Sequence, residues 1–162
     1  MIEFLKVRDV KSPIRDAKEN AGIDFFIPEK SSFTDEELNK IGIIRDNKIV
    51  IEPHSAVLIP AGIKSKFSNN IALIANNKSG ICTKKQIIFG ASVIDCSYQG
   101  EWHFHFINTS KHFQEIEFGQ KVIQFIPHII ATDDIVISDK PESEFFTEKT
   151  NRGEGGFGST GV

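Results

Sequence analysis

Apolar and polar positions along the chain alternate in short runs, and the runs are cut by Pro, Gly or Asn. Segments 2–7, 49–52, 56–59, 62–67 and 71–75 are β-branched or alternate with a period of two, which predicts strands. The series resumes at 86–89, 92–94, 101–107, 121–126 and 135–137. Many short strands at this spacing predict an all-β, jelly-roll-like barrel or sandwich. One stretch breaks the pattern. Thr34-Asp-Glu-Glu37 reads as a capping box, followed by Leu38 and Ile41 with Gly42 as a stop. A short surface helix is expected at Asp35–Ile41, inside an excursion at about residues 29–48.

At 162 residues the chain has the length of one domain with a real core. Residues 1–150 are read as that domain and 151–162 as a glycine-rich C-terminal arm. The excursion is read first as a tolerated surface insertion, with docking of a regulatory protein partner as its alternative use. A formal net charge of −3 argues against a general nucleic-acid binder. No run approaches the roughly 18 apolar residues of a membrane span, so a soluble, cytoplasmic protein is expected. Cys82 and Cys96 have no CxxC spacing and read as two reduced thiols.

Candidate chemistry lies in five places. The arm, Arg152-Gly-Glu-Gly-Gly-Phe-Gly-Ser-Thr-Gly161, combines a permanent cation, a ring and two hydroxyls with glycines that allow close backbone approach. It is not a Walker A loop, because no GK[ST] occurs. Ser92-Val-Ile-Asp95-Cys-Ser-Tyr98-Gln-Gly100-Glu101 puts a carboxylate at the bend of an expected hairpin, where it also reads as an Asp capping its own turn. Asn77-Lys78-Ser79-Gly80 has the charge, hydroxyl and flexible backbone of a phosphate loop, or of an ordinary one. Ala21-Gly-Ile-Asp24 offers a carboxylate beside a strand, and Phe118-Gly-Gln-Lys-Val-Ile-Gln124 a polar residue on one.

Taken together and in this order, the five resemble the motifs of the trimeric dUTPase family over residues 21–161. The resemblance implies that family's all-β jelly-roll fold, a homotrimer with shared sites, and hydrolysis of dUTP to dUMP and pyrophosphate. That activity keeps uracil out of DNA and supplies dUMP for thymidylate synthesis. It implies Asp95 as the catalytic carboxylate that deprotonates the water attacking the α-phosphorus. Tyr98 then packs under the deoxyribose, and the backbone about Gly90 and Ser92 reads the uracil edge. Asp24 holds Mg2+ through water, while Lys78, Ser79 and Gly80 bind phosphate and Gln124 lies near the α-phosphate. From the arm, Arg152 meets the γ-phosphate, Phe157 stacks on uracil, and Gly158, Ser159 and Thr160 close on the terminal phosphates.

Two positions depart from the family pattern. Lys78 stands where Arg is usual and lacks the bidentate fork, and Ser92 stands where Gly is usual. The related dCTP deaminases carry a proton-transferring Glu where this chain has His105, which sets deamination behind hydrolysis. A cupin-like metal protein is prompted by His103 and His105 on one strand face, with His112 and His128 downstream, but no Glu follows at the cupin spacing. A sensing module without turnover is disfavoured, because every presumed catalytic position is filled.

Overall fold

The computed structural model describes residues 1–131, 135–148 and 150–151. The chain divides into two units, Met1–Ile130 and Ala131–Val162, so the boundary expected near 150 lies inside the second. In the first unit the strands form four small antiparallel sheets. β1 (Ile2–Lys6) is followed by β2 (Ile23–Phe26), α1 (Asp35–Ile41), β3 (Ile43–Arg45) and β4 (Lys48–Ile51). Next come β5 (Ala56–Pro60), β6 (Ile63–Phe67), β7 (Ile71–Asn77), α2 (Ser79–Lys85) and β8 (Ile87–Phe89). The unit ends with β9 (Val93–Ile94), β10 (His103–Asn108), β11 (Gln114–Glu117) and β12 (Lys121–Ile129). The sheet orders are β1-β6, β5-β10-β8, β11-β4-β3 and β2-β12-β7-β9.

The period-two pattern produces the core directly. In β10, Phe104, Phe106 and Asn108 face inward while His103, His105 and Ile107 face out. The innermost cluster is aromatic: Trp102 lies 4.9 Å from Phe125 and 5.2 Å from Phe25, ring centre to ring centre. Ring contacts of this kind add to the burial of the faces themselves.

Helix α1 forms as its sequence specifies. The Thr34 hydroxyl accepts from the Glu37 N–H, the Glu37 carboxylate accepts from the Thr34 N–H, and Gly42 ends the helix at φ 124°. Residues 29–48 are more than a surface loop, since Phe33 and Ile41 are buried in the core and β3 pairs with β4.

Four differences from the sequence reading stand out. β2, β3 and β11 are additional strands, each only three or four residues long. Ser79–Lys85 is a second helix rather than a loop. β12 continues three residues past 126. Residues 135–137 form no strand: Ile135, Val136 and Ile137 are 68%, 87% and 90% exposed. In the second unit the regular element among the described residues is α3 (Glu142–Phe145).

Candidate active site

Strand register assembles the first half of the site. In the β2–β12–β7 sheet, Gln124 lies opposite Asp24 on one side and Asn76 on the other. Directly opposed residues of antiparallel strands share a face, so Asp24 and Gln124 stand side by side. A β-bulge between Lys121 and Ile123 lets both Val122 and Ile123 turn into the core and leaves Lys121 and Gln124 on the other face. Gly22 makes the close approach possible, because a Cβ there would lie 2.3 Å from Gln124 Oε1.

β7 delivers the rest. It runs into Lys78, the N-cap of α2, so that Ser79 and Gly80 occupy the first helical turn, whose N–H groups lack intrahelical carbonyl partners. The result is a cleft of about 450 Å3 lined by Asp16, Gly22, Asp24, Lys78, Ser79, Lys121 and Gln124, with Asn20, Ala21 and Ile126 completing its wall. Asp24 is nearly buried and sits between two ammoniums: Lys78 Nζ is 2.5 Å from Oδ1 and Lys121 Nζ is 3.0 Å from Oδ2. Lys121 also reaches Asp16 at 2.9 Å. Burial pushes the Asp24 carboxyl upward, but hydrogen bonds from Lys78 and Lys121 outweigh it and hold the group below its ordinary value. Lys121 is raised, first by its bond to Asp16 and then by Asp24.

The second half is the wide β8–β10 hairpin, whose loop carries β9. β9 pairs with β7 and not with β10, so the tight hairpin expected between residues 92–94 and 101–107 does not form. Gly90 donates its N–H to the His105 carbonyl at 2.8 Å, and the Ser92 carbonyl accepts from the Ala75 N–H at 2.7 Å. The His105 ring fills the space against Gly90, where a Cβ would lie 2.1 Å from Nδ1. Asp95 is exposed at the bend, and its carbonyl accepts from the Tyr98 N–H. The Tyr98 ring lies over Gly100, and its hydroxyl donates to the Glu101 carbonyl at 2.8 Å.

Thus Asp24, Lys78, Ser79 and Gln124 meet in the cleft, with Gly80 one residue behind in α2. Gly90, Ser92, Asp95 and Tyr98 meet on the hairpin and do not line that cleft. Arg152, Phe157, Gly158, Ser159 and Thr160 lie outside the described residues. The sequence reading gave no role to Asp16 or Lys121, although Lys121 stands inside a motif it quoted. Asn77, which opens the Asn77-Lys78-Ser79-Gly80 motif but was given no role of its own, bridges the halves: its side-chain oxygen accepts from the Phe89 N–H and its carbonyl from the Gln124 amide.

Comparison with known proteins first places the fold. A dUTPase from Staphylococcus bacteriophage 80alpha, solved with dUpNHpp, superposes with a TM-score of 0.78 at 19% identity, covering 100% of this chain and 99% of that one. A dUTPase from phage phi11 of S. aureus, described with a structural Mg(II) ion, gives a TM-score of 0.69 at 17% identity, covering 88% of this chain and 99% of that one. The model of the dUTPase family matches residues 43–161. The deoxyuridine 5′-triphosphate nucleotidohydrolase of Arabidopsis thaliana is 31% identical over 163 aligned positions, which cover 98% of this chain and 84% of that protein. The chain belongs to the dUTPase family, and hydrolysis of dUTP to dUMP is the activity that membership assigns to it.

Proposed function

We propose that the chain splits dUTP into dUMP and pyrophosphate by in-line attack of water on the α-phosphorus, as a homotrimer with Mg2+ and sites shared between copies. The observation that carries this reading is the cleft, where two ammoniums, a hydroxyl and an amide converge around the ionised Asp24, with Asp16 paired to Lys121 on the same wall. That is equipment for a polyphosphate.

The donors fit a magnesium ion arriving on the triphosphate. Asp24 is a carboxylate of the hard oxygen kind that Mg2+ takes, and a triphosphate can draw the two lysines away from it. When bound, the ion neutralises charge developing on the phosphate oxygens.

The chain's own residues then divide the work. Asp95 orients the attacking water and accepts its proton. Tyr98 lies under the deoxyribose and leaves no room for a 2′-hydroxyl, while the backbone at Gly90 and Ser92 meets the uracil edge. Lys78, Ser79 and Gly80 hold phosphate oxygens, and Gln124 lies near the α-phosphate. Arg152, Phe157, Gly158, Ser159 and Thr160 of the arm close over the nucleotide and exclude water. Within one chain Asp95 does not line the Asp24 cleft, which supports a site completed by other copies. The exposed run Ile135, Val136 and Ile137 offers apolar surface for such packing. The free thiols Cys82 and Cys96 suit a reducing cytoplasm.

Pyrophosphate release across dUTP, dCTP, dTTP and UTP with Mg2+ tests this, beside sedimentation for the assembly. Selective turnover of dUTP by a trimer is expected. Equal turnover of UTP or dTTP, or full activity in a monomer, would overturn it.

A further inference from the structure

Outside the cleft, Arg8 is a well-covered cation whose side chain is 13% exposed. Its Nε donates to Glu101 Oε1 at 2.6 Å and its Nη2 to Glu101 Oε2 at 3.0 Å. The same guanidinium reaches Glu37 at 2.5 and 3.1 Å and the Ser32 carbonyl at 3.0 Å. All five of its N–H groups are thereby used. Three distant parts of the sequence are joined at one cation: the end of β1, helix α1 and the segment entering β10.

Glu101 is held from both ends. Its carboxylate takes Arg8 and also the Gly62 N–H at 2.8 Å, while its carbonyl takes the Tyr98 hydroxyl. The Tyr98 ring is 43% exposed and rests on Gly100, so little besides this tether fixes its tilt. Hydrogen bonds thus link Glu37 through Arg8 to the Glu101 carboxylate, and the Glu101 residue itself carries the connection on to the backbone carbonyl that takes the Tyr98 hydroxyl. The geometry points to Arg8 as a positioning residue for Tyr98, making helix α1 part of the device that separates deoxyribose from ribose. This rests on the placement of Tyr98 under the sugar given above.

Because a ribonucleotide is excluded by shape, a ring free to tilt admits the 2′-hydroxyl while still accepting the deoxy sugar. Loss of Arg8 should therefore act on the ratio of kcat/KM for dUTP over UTP rather than on dUTP turnover. Arg8→Gln is expected to lower that ratio about tenfold, mainly through a smaller KM for UTP, with kcat for dUTP within about threefold. Tyr98→Phe keeps the ring but removes the tether, and should lower the ratio similarly. In the double variant the losses should not add, since both cut the same connection. Full additivity, or an unchanged ratio in a folded Arg8→Gln protein, would overturn the inference and leave Arg8 as a structural brace. Should Arg8→Gln fail to fold, Glu37→Gln decides. It spares the Arg8–Glu101 pair and is expected to cost two- to threefold in the ratio, about that much being the loss of one of two anchors. An unchanged ratio there overturns the coupling to α1. Tyr98→Ala separates the two levels. If it leaves the ratio intact, the sugar role of Tyr98 is wrong. If it abolishes the preference while the Arg8 and Glu37 variants do not, only the present inference falls.

Discussion

The cleft around Asp24 and the hairpin around Asp95 use charge in opposite ways. In the cleft, two carboxylates and two lysines balance one another, and every partner stands on the wall that a ligand would touch. A triphosphate entering there exchanges one anionic partner of the lysines for another. On the hairpin the paired charges are Arg8, Glu37 and Glu101, while Asp95 and Tyr98 are exposed and, on the proposed reading, meet the nucleotide. On the proposed reading the first network is redistributed by substrate, whereas the second holds a shape. Lysine suits the former because its ammonium rotates freely, and arginine suits the latter because its fork is rigid.

The sharpest way to break this contrast is to remove the outward carboxylate of the hairpin. Asp95→Asn is nearly isosteric and exposed, so the fold should be untouched, while turnover falls on the order of a thousandfold or more, as for loss of a general base. Binding of a non-hydrolysable dUTP analogue, followed by calorimetry, should stay within about threefold. Retained turnover would remove Asp95 from the proton-accepting role.

Next in size is Asp24→Ala. It leaves Lys78 and Lys121 facing each other without their shared carboxylate, and should cost about 2 kcal/mol in urea denaturation. It should also raise the Mg2+ concentration needed for turnover. A stability loss of this size from the exposed Asp95 position would erase the distinction between the two halves.

Much of this was legible in the chain. Strong alternation marked the strands around the core, and the Thr34–Glu37 capping box fixed the ends of α1 to the residue. What stayed hidden has a common cause. β11 has one buried apolar residue, Ile116, so its half-buried face leaves almost no pattern. Helix α2 carries Gly80 and the β-branched Ile81 and Thr83, weak helix formers that resemble a loop until Gln86 closes the turn in the left-handed region. Asp24, Lys78 and Gln124 could be named from their motifs, but Lys121, Asn77 and Arg8 depend on pairings across as many as 105 residues. No local spacing announces those. Residues 135–137 show the reverse error, since β-branched composition alone did not make a strand there.

A tighter probe of the hairpin is Gly90→Ala. The new methyl would meet the His105 ring, so hairpin or ring must shift, costing about 1–2 kcal/mol and weakening nucleotide binding. Pairing it with His105→Ala should recover most of the stability, measured by thermal unfolding. No recovery would mean the conflict is with the backbone instead.

The smallest effect separates the two networks by acid. Glu37 is held at about 2, well below its ordinary 4.5, chiefly by its hydrogen bond with Arg8 and then by the Thr34 N–H. A depressed carboxylate stabilises the fold above its unfolded value, and that contribution fades as pH drops through the folded one. Glu37→Gln should therefore lower Tm by a few degrees at pH 7, as expected for the loss of one partly exposed pair, and the gap to the parent should close between about pH 4.5 and 2. Asp24 is also depressed, so Asp24→Asn should show a gap that closes below the ordinary Asp range. The discriminating observation is what nucleotide does to each gap at neutral pH. Saturating analogue should shrink the Asp24 gap, because phosphate supplies the lysines with an alternative partner. It should leave the Glu37 gap standing, because nothing in the substrate can replace a carboxylate behind the hairpin. If both gaps respond alike, the charges of the two halves serve one purpose.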